Sequence, residues 1–446
     1  MTQVKRTCRL RAKLRCVRLA FGRSVSHQRA RRTRFTGRHL SGDKSIIQDA
    51  PIAMARKGAA MDFELNAEQR QIQDTAKRFA AEEIAPTIEE EERQHAFKPE
   101  RVAKMGELGF FSCALSEQLG GSGMGFMESV LMAEQIARVS ASWRLPFNMQ
   151  NLGPALTVAK FGTPEQKKKY VPGWVAGTQL GFFAMTEPNT GSDVASMRTH
   201  AINKGDHYEI NGNKMWISQA HVGDAGLLYA YTDKAKGNKG MTAFIIEPKK
   251  MKGCTARAIE TKLGLHCAPT GEFVFEGMQV PKENVLGQVG DGFRVCMWQL
   301  NQTRIGCAAG ALGVAGGALD LAIKYANERT QFGKAISQHQ MIQAQIAEMV
   351  VEHHAAQMLV YRAAWLKDQG KPNQYETSVA KLAASEAAVH AANECMKIFG
   401  SYGFSTEYPA ERFYRDAKSL QVVEGTSNIQ KIIISGMACG FTPNRE

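Results

Sequence analysis

From residue 62 onward the chain switches between two hydrophobic periods. Over 62–181 apolar positions recur three and four apart, which predicts helices. Asn66-Ala67-Glu68-Gln69 has the form of a capping box, so a helix starts there and runs toward Pro86. Thr163-Pro164-Glu165-Gln166 opens another, with a cap and Pro at the first helical position. Residues 89–92 read as the solvated face of a helix, and Lys167, Lys168 and Lys169 as surface charge. Between 182 and 288 the period shortens to two. Residues 208–216 read as a hairpin around Asn211-Gly212, with further strands at 227–231, 242–247 and 272–275. Gly287 and Gly290 mark the next boundary. Beyond it, 308–328, 340–367 and 377–399 are long, Ala-rich and free of Pro, as bundle helices are. Their small residues also suit packing between subunits.

The fold class that follows is α+β and mostly α: an N-terminal helical domain (62–181), a middle β domain (182–288) and a C-terminal four-helix bundle (289–440). No alternating βαβ pattern occurs, which argues against a Rossmann domain. Gly400-Ser401-Tyr402-Gly403 follows a helix and is not a dinucleotide fingerprint.

Charge changes the picture only at one end. The chain has 446 residues and a formal net charge of +13, but residues 1–60 hold 16 Lys and Arg against 2 Asp and Glu. The remainder holds 40 basic and 41 acidic residues. The segment 1–60 fits a mitochondrial-type presequence, or a start placed upstream of a true beginning at Met61, in which case the protein is a bacterial cytoplasmic one. The second reading is favoured, because Met61-Asp62-Phe63-Glu64-Leu65-Asn66 leads straight into a helix. A nucleic-acid-binding arm is a third reading, and the near-neutral body argues against nucleic acid as a partner. Nine cysteines without a C-x-x-C suit a reducing compartment and argue against a structural metal. No apolar run of membrane-spanning length is expected.

Four separated segments carry candidate chemistry. Val422-Val423-Glu424-Gly425-Thr426-Ser427-Asn428 places a carboxylate beside a Gly turn and a helix start. Gly425 permits a sharp turn, Thr426 or Ser427 can cap, and the free N–H groups can bind an acceptor oxygen. Such a group could remove a proton next to a polarised carbonyl; a solvated acid is the plainer reading. Met185-Thr186-Glu187-Pro188-Asn189-Thr190-Gly191-Ser192-Asp193 is a loop rich in hydroxyls and N–H groups, suited to a phosphate or a heteroaromatic edge, or simply a polar loop. Trp216-Ile217-Ser218 could stack on a flat cofactor and hydrogen-bond it, or pack a core. Arg329-Thr330-Gln331-Phe332-Gly333 closes a helix, where Arg could equally satisfy terminal carbonyls.

In this order and at these intervals, the four segments resemble the acyl-CoA dehydrogenase family of flavoenzymes across essentially all of 62–440. The resemblance implies FAD as cofactor, and α,β-dehydrogenation of an acyl-CoA thioester to the 2-enoyl-CoA. Glu424 would be the base that takes the α-proton, a hydride would leave Cβ for the flavin, and the Glu424 N–H would hold the thioester oxygen. Met185, Thr186, Trp216 and Ser218 match flavin-contacting positions. Ser192 matches a residue near the cofactor diphosphate and CoA. Arg329, Gln331 and Gln340 match positions that reach FAD across a dimer interface, and Thr426 and Asn428 match further cofactor contacts. Asn301 and Arg304 match a CoA-side pair, and Gly425 belongs to the thioester site. Some relatives carry the base just before that Arg; here Thr303 stands there. Lys397 departs from the Gln common in the family. The resemblance also implies an electron-transferring flavoprotein as acceptor and a homotetramer built as a dimer of dimers.

Arg138-Val139-Ser140-Ala141-Ser142-Trp143-Arg144 is similar to the corresponding segment of glutaryl-CoA dehydrogenases, as is His266-Cys267-Ala268-Pro269-Thr270-Gly271-Glu272. Arg144 would hold the distal carboxylate of a dicarboxylic acyl chain, with Asn148 four residues on assisting; a structural salt bridge is the other reading of Arg144. The decarboxylating enzymes have Tyr before the base and Glu seven positions before the Arg, where this chain has Val423 and Ala137. Glutaryl-CoA would therefore be dehydrogenated without decarboxylation. A short, branched or alicyclic acyl-CoA, or an acyl-CoA oxidase activity, are the alternatives.

Overall fold

The Asn66 side chain accepts from the Gln69 N–H at 2.8 Å, and Gln69 Oε1 accepts from the Asn66 N–H at 3.2 Å. This capping box starts α1 (Ala67–Phe79), as its sequence predicts. The computed structural model describes residues 64–441, so the expectations for 1–60 lie outside the described residues. A π-helical turn (Ala80–Ile84) carries the chain toward Pro86 and α2 (Ile88–Gln94). There follow α3 (Pro99–Glu107), α4 (Phe126–Val139), α5 (Ala141–Leu152), α6 (Pro154–Phe161) and α7 (Pro164–Val175). Thr163 and Gln166 form a second capping box at α7.

The run 89–92 is not simply a solvated face. Glu91 and Glu92 are buried. Arg101 binds the Glu91 carboxylate at 2.7 and 2.9 Å, and Trp143 Nε1 donates to it at 2.8 Å. Burial raises the Glu91 pKa, but donors from Arg101, Thr87, Trp143 and Lys98 outweigh it and bring the value down to about 2. Glu92 accepts from the Ser142 hydroxyl and from the His266 N–H. A carboxylate can sit inside where enough donors converge on it. A local pattern of polar residues does not reveal donors that come from other helices.

The middle region forms one eight-stranded sheet: β1 (Gly181–Ala184), β2 (His200–Asn203), β3 (His207–Ser218), β4 (Ala225–Tyr231), β5 (Met241–Ile246), β6 (Cys254–Ala258), β7 (Thr270–Pro281) and β8 (Val285–Leu286). The order is β6-β7-β3-β2-β4-β5-β8, and β1 pairs parallel with β4. The hairpin expected at Asn211-Gly212 is absent: β3 runs through it as a single strand. Its register against β7 slips between Ile210 and Gly212. Gly212 has φ +142°, and a Cβ there would meet Thr199 at 2.6 Å. Asn211 Oδ1 accepts from the Gly277 N–H of the neighbouring strand β7. The Asn-Gly pair therefore serves an irregularity in a long strand, a second use of the same turn chemistry.

The C-terminal helices are α8 (Gly292–Glu328), α9 (Gln340–Asp368), α10 (Gln374–Phe399), α11 (Ala410–Leu420) and α12 (Ser427–Ala438), with a small ribbon of β9 (Thr330–Gln331) and β10 (Lys334–Ala335) after α8. α8 starts 16 residues before the expected 308, at Gly292. It also corrects the expectation about apolar runs. An 18-residue window of α8 is apolar enough to cross a membrane, yet 89% of it is buried in the protein, between helices of both helical regions. It is the core helix on which α4, α5 and α10 pack.

Candidate active site

The turn before α12 places two successive residues in the left-handed region. Glu424 has φ +56° and Gly425 φ +89°. A non-Gly residue in the left-handed region costs about 1–2 kcal/mol and persists only where its surroundings hold it. Four hydrogen bonds do so. The Glu424 carbonyl accepts from Arg304 Nε at 3.1 Å and from Gln430 Nε2 at 3.4 Å. The Gly425 carbonyl accepts from Lys381 Nζ and Gln430 Nε2, both at 2.9 Å. Thr426 caps α12 by accepting from the Ile429 N–H. Among the described residues, no acceptor meets the N–H of Glu424 or of Gly425.

The Glu424 side chain turns toward α5 and α8. Its Oε1 accepts from Asn148 Nδ2 at 2.9 Å, and the same amide donates to the Thr303 carbonyl at 3.1 Å. Its Oε2 is buried with no partner, as is Thr303 Oγ1 nearby. Burial pushes the Glu424 pKa up; the Arg144 charge, the nearby Thr303 hydroxyl, and the charges of Arg304 and Lys381 oppose the rise without cancelling it.

Arg144 is 1% exposed. Its Nε and Nη2 have no partner, and among the described residues it forms no ion pair. Arg144 and Asn148 lie one turn apart on α5, against Gly310 and Gly306 of α8. A Cβ on Gly310 would stand 2.4 Å from Arg144 Cδ, and one on Gly306 would stand 1.8 Å from Asn148 Oδ1. Two glycines one turn apart thus open the groove that admits two polar side chains beside the carboxylate. The centre holds three buried cations, Arg144, Arg304 and Lys381, near a single carboxylate. That imbalance favours an anionic occupant.

A second wall comes from the sheet. The loop after β1 is pinned from within: buried Lys214 donates to the Met185 carbonyl and to Glu187, each at 2.9 Å, and the Met215 N–H donates to the Thr186 carbonyl. Trp216 follows at φ +62° and is 52% exposed, so it is no core Trp. Ser218 is half-buried beside it.

Three segments match the acyl-CoA dehydrogenase N-terminal domain (66–178), middle domain (182–278) and C-terminal domain (290–437). Glutaryl-CoA dehydrogenase of Desulfococcus multivorans is 46% identical over 84% of this chain and 97% of that protein. The mouse mitochondrial short-chain specific acyl-CoA dehydrogenase is 39% identical over 84% and 90%. A glutaryl-coenzyme A dehydrogenase solved with glutaryl-CoA superposes with a TM-score of 0.83 at 45% identity, over 85% of this chain and 97% of that one. The chain belongs to the acyl-CoA dehydrogenase family. It is an FAD-linked oxidoreductase acting on an acyl-CoA. The residues present fit the cofactor: a half-exposed indole held in a rare backbone conformation offers an aromatic face, and a hydroxyl and a fixed loop flank it.

Not every residue expected at the site gathers in one place. Gln340, the first residue of α9, is exposed, as are Arg329 and Gln331 just past the far end of α8. At 1.5 Å per residue that is roughly 37 Å from Arg304. Arg329 lies over the Tyr402 ring at 5.6 Å, and Phe332 beside it is 93% exposed. Ser192 and Asn428 are exposed. Asn301 donates to Asn373, while its own Oδ1 is buried and unpartnered. Lys397 pairs with Glu394 at 2.7 Å rather than pointing to an open site. Sequence reasoning passed over Lys381, Gln430, Gly306 and Gly310. Lys381 had a signal: it lies on the stripe of buried Ala380, Ala384 and Ala388, where a lysine is out of pattern.

Proposed function

We propose that Glu424 is the base that takes the α-proton of the thioester, and that the acyl chain ends in a carboxylate held by Arg144, as in glutaryl-CoA. The observation that carries this reading is the Arg144 guanidinium, buried without a partner beside the base. A buried arginine with unpartnered nitrogens is costly unless a ligand completes it, and a carboxylate matches its fork. The dehydrogenase solved with glutaryl-CoA supports the same substrate class.

Asn148 occupies Oε1 of Glu424 and leaves Oε2 to receive the proton. Burial makes the carboxylate more basic, which suits proton abstraction once substrate excludes water. The Glu424 N–H, with no acceptor of its own, would hold the thioester oxygen as negative charge builds on it. Asn301 and Arg304 would lie on the CoA side, and Gly425 lets the thioester approach. FAD, when bound, supplies the acceptor for the hydride from Cβ. Met185, Thr186, Trp216 and Ser218 would hold its ring system, with Ser192, Thr426 and Asn428 at its polar parts. Arg329, Gln331 and Gln340, remote in their own chain, would meet the cofactor of a neighbouring subunit in a homotetramer. An electron-transferring flavoprotein would remove the electrons.

Dehydrogenation would stop at glutaconyl-CoA. Val423 cannot handle a proton. Ala137 is fully buried, and its methyl group cannot handle a proton either. The free cysteines suit a reducing, cytoplasmic setting. Glu424→Gln should keep FAD and thioester bound while slowing flavin reduction about 10⁴-fold. Rapid reduction by that variant would remove Glu424 from the mechanism.

A further inference from the structure

The turn that carries Glu424 is fastened by a lysine to which no role has been given. Lys381 is fully buried on α10, and its ammonium donates to the Gly425 carbonyl at 2.9 Å. Among the described residues it forms no ion pair. The groups that act on it are Glu424 and Gly425 of the turn, Arg304 and Cys307 of α8, and Glu386 of its own helix. Glu386 is engaged elsewhere, accepting from Gln421 and Ser427. From α5 the turn also faces Arg144 and Asn148.

Packing alone does not explain a lysine here. Ala380, Ala384 and Ala388 of the same helix are likewise at 0% exposure, and a Met would fill the same space without burying a charge. A single carbonyl is poor compensation for a desolvated ammonium.

We propose that Lys381 is a positioning residue for the proton transfer: by holding the Gly425 carbonyl it fixes the left-handed turn at Glu424, and with it the direction of both the carboxylate and the Glu424 N–H. This inference rests on Glu424 being the base. Arg304 and Gln430 hold the adjoining carbonyl, so the two peptide planes are clamped from α8, α10 and α12 together. The lysine has a second consequence. Burial raises the Glu424 pKa, and the Lys381 charge is one of the forces that limit the rise. Removing the charge leaves the base protonated to a higher pH.

Two variants separate the clamp from the charge. Lys381→Gln keeps a donor for the Gly425 carbonyl and loses the charge; Lys381→Met loses both. The holoenzyme of each is compared with wild type by the pH dependence of anaerobic flavin reduction, by thermal unfolding, and by infrared titration of the Glu424 carboxyl, assigned by its absence in Glu424→Gln. The acid limb of the rate profile and the infrared titration should both move to higher pH in the two variants. The maximal rate should fall about tenfold in Lys381→Gln and about a hundredfold in Lys381→Met, the scale of a misplaced reacting group. Thermal stability should hold or rise in Lys381→Met. Lower stability with an unmoved acid limb and an unmoved infrared titration would overturn the proposal and make Lys381 a structural tie between α10 and α12. If Glu424→Gln reduces its flavin quickly, the base assignment itself fails, and this inference with it. If the variant is inert while both Lys381 variants behave as wild type, only the role of Lys381 fails.

Discussion

Arg101 and Arg144 are both buried, and Trp143 links them: the Arg101 guanidinium lies 4.3 Å from the centre of its ring, and Arg144 is the next residue along α5. Their surroundings are opposite. Arg101 is bound by both oxygens of Glu91 and by Thr87, a closed set of partners. Arg144 has two nitrogens without any. Charge and burial are the same; only satisfaction differs. A closed set marks a cation that holds the fold, and an open one marks a cation arranged for something that comes and goes.

The contrast breaks most visibly at Arg101. Arg101→Met strips buried Glu91 of its two-pronged partner and leaves it only Lys98, Thr87 and Trp143, and should cost about 3 kcal/mol in urea unfolding, with little effect on substrate preference. Arg144→Met should leave stability unchanged or raise it. Its kcat/KM for glutaryl-CoA should fall about 10²–10³-fold while that for butyryl-CoA holds, since truncating one partner of a buried charge pair costs about 2–5 kcal/mol. Equal losses on both thioesters would return Arg144 to a structural role.

His353 shows a third way to bury a basic group. It is 6% exposed, and burial, with Arg138 and His354, pushes its pKa down to about 4, so it sheds its proton instead of finding a partner. A depressed folded pKa gives stability that is present above the ordinary imidazole value and lost as pH falls through about 4. Urea unfolding at pH 7 and near pH 4.5 should therefore differ by about 2–3 kcal/mol more in wild type than in His353→Gln. The smallest expected effect is at Gly310. Gly310→Ala should push Arg144 aside and lower kcat/KM for glutaryl-CoA about tenfold relative to butyryl-CoA, as one displaced contact in a pocket does.

What was legible in the sequence was local. Asn66 and Thr163 announce their helices within four residues, and Glu424-Gly425-Thr426 announces its turn, because caps and turns are made by neighbours. Asn211-Gly212 misled for the same reason: its chemistry is local, but whether it turns a hairpin or bends a strand depends on β2 and β7 beside it. Glu91 and Glu92 misled because their donors arrive from α3, α5 and the His266 loop. The fit of Arg144 and Asn148 to Gly310 and Gly306 spans more than 150 residues, and no spacing within either segment records it.

The most direct test is an anaerobic titration of the purified holoenzyme with glutaryl-CoA and with butyryl-CoA, following flavin bleaching and assaying carbon dioxide. The account predicts faster bleaching by glutaryl-CoA, glutaconyl-CoA as product and no carbon dioxide. Bleaching by butyryl-CoA alone would contradict the role of Arg144, and carbon dioxide release would contradict the reading of Val423 and Ala137.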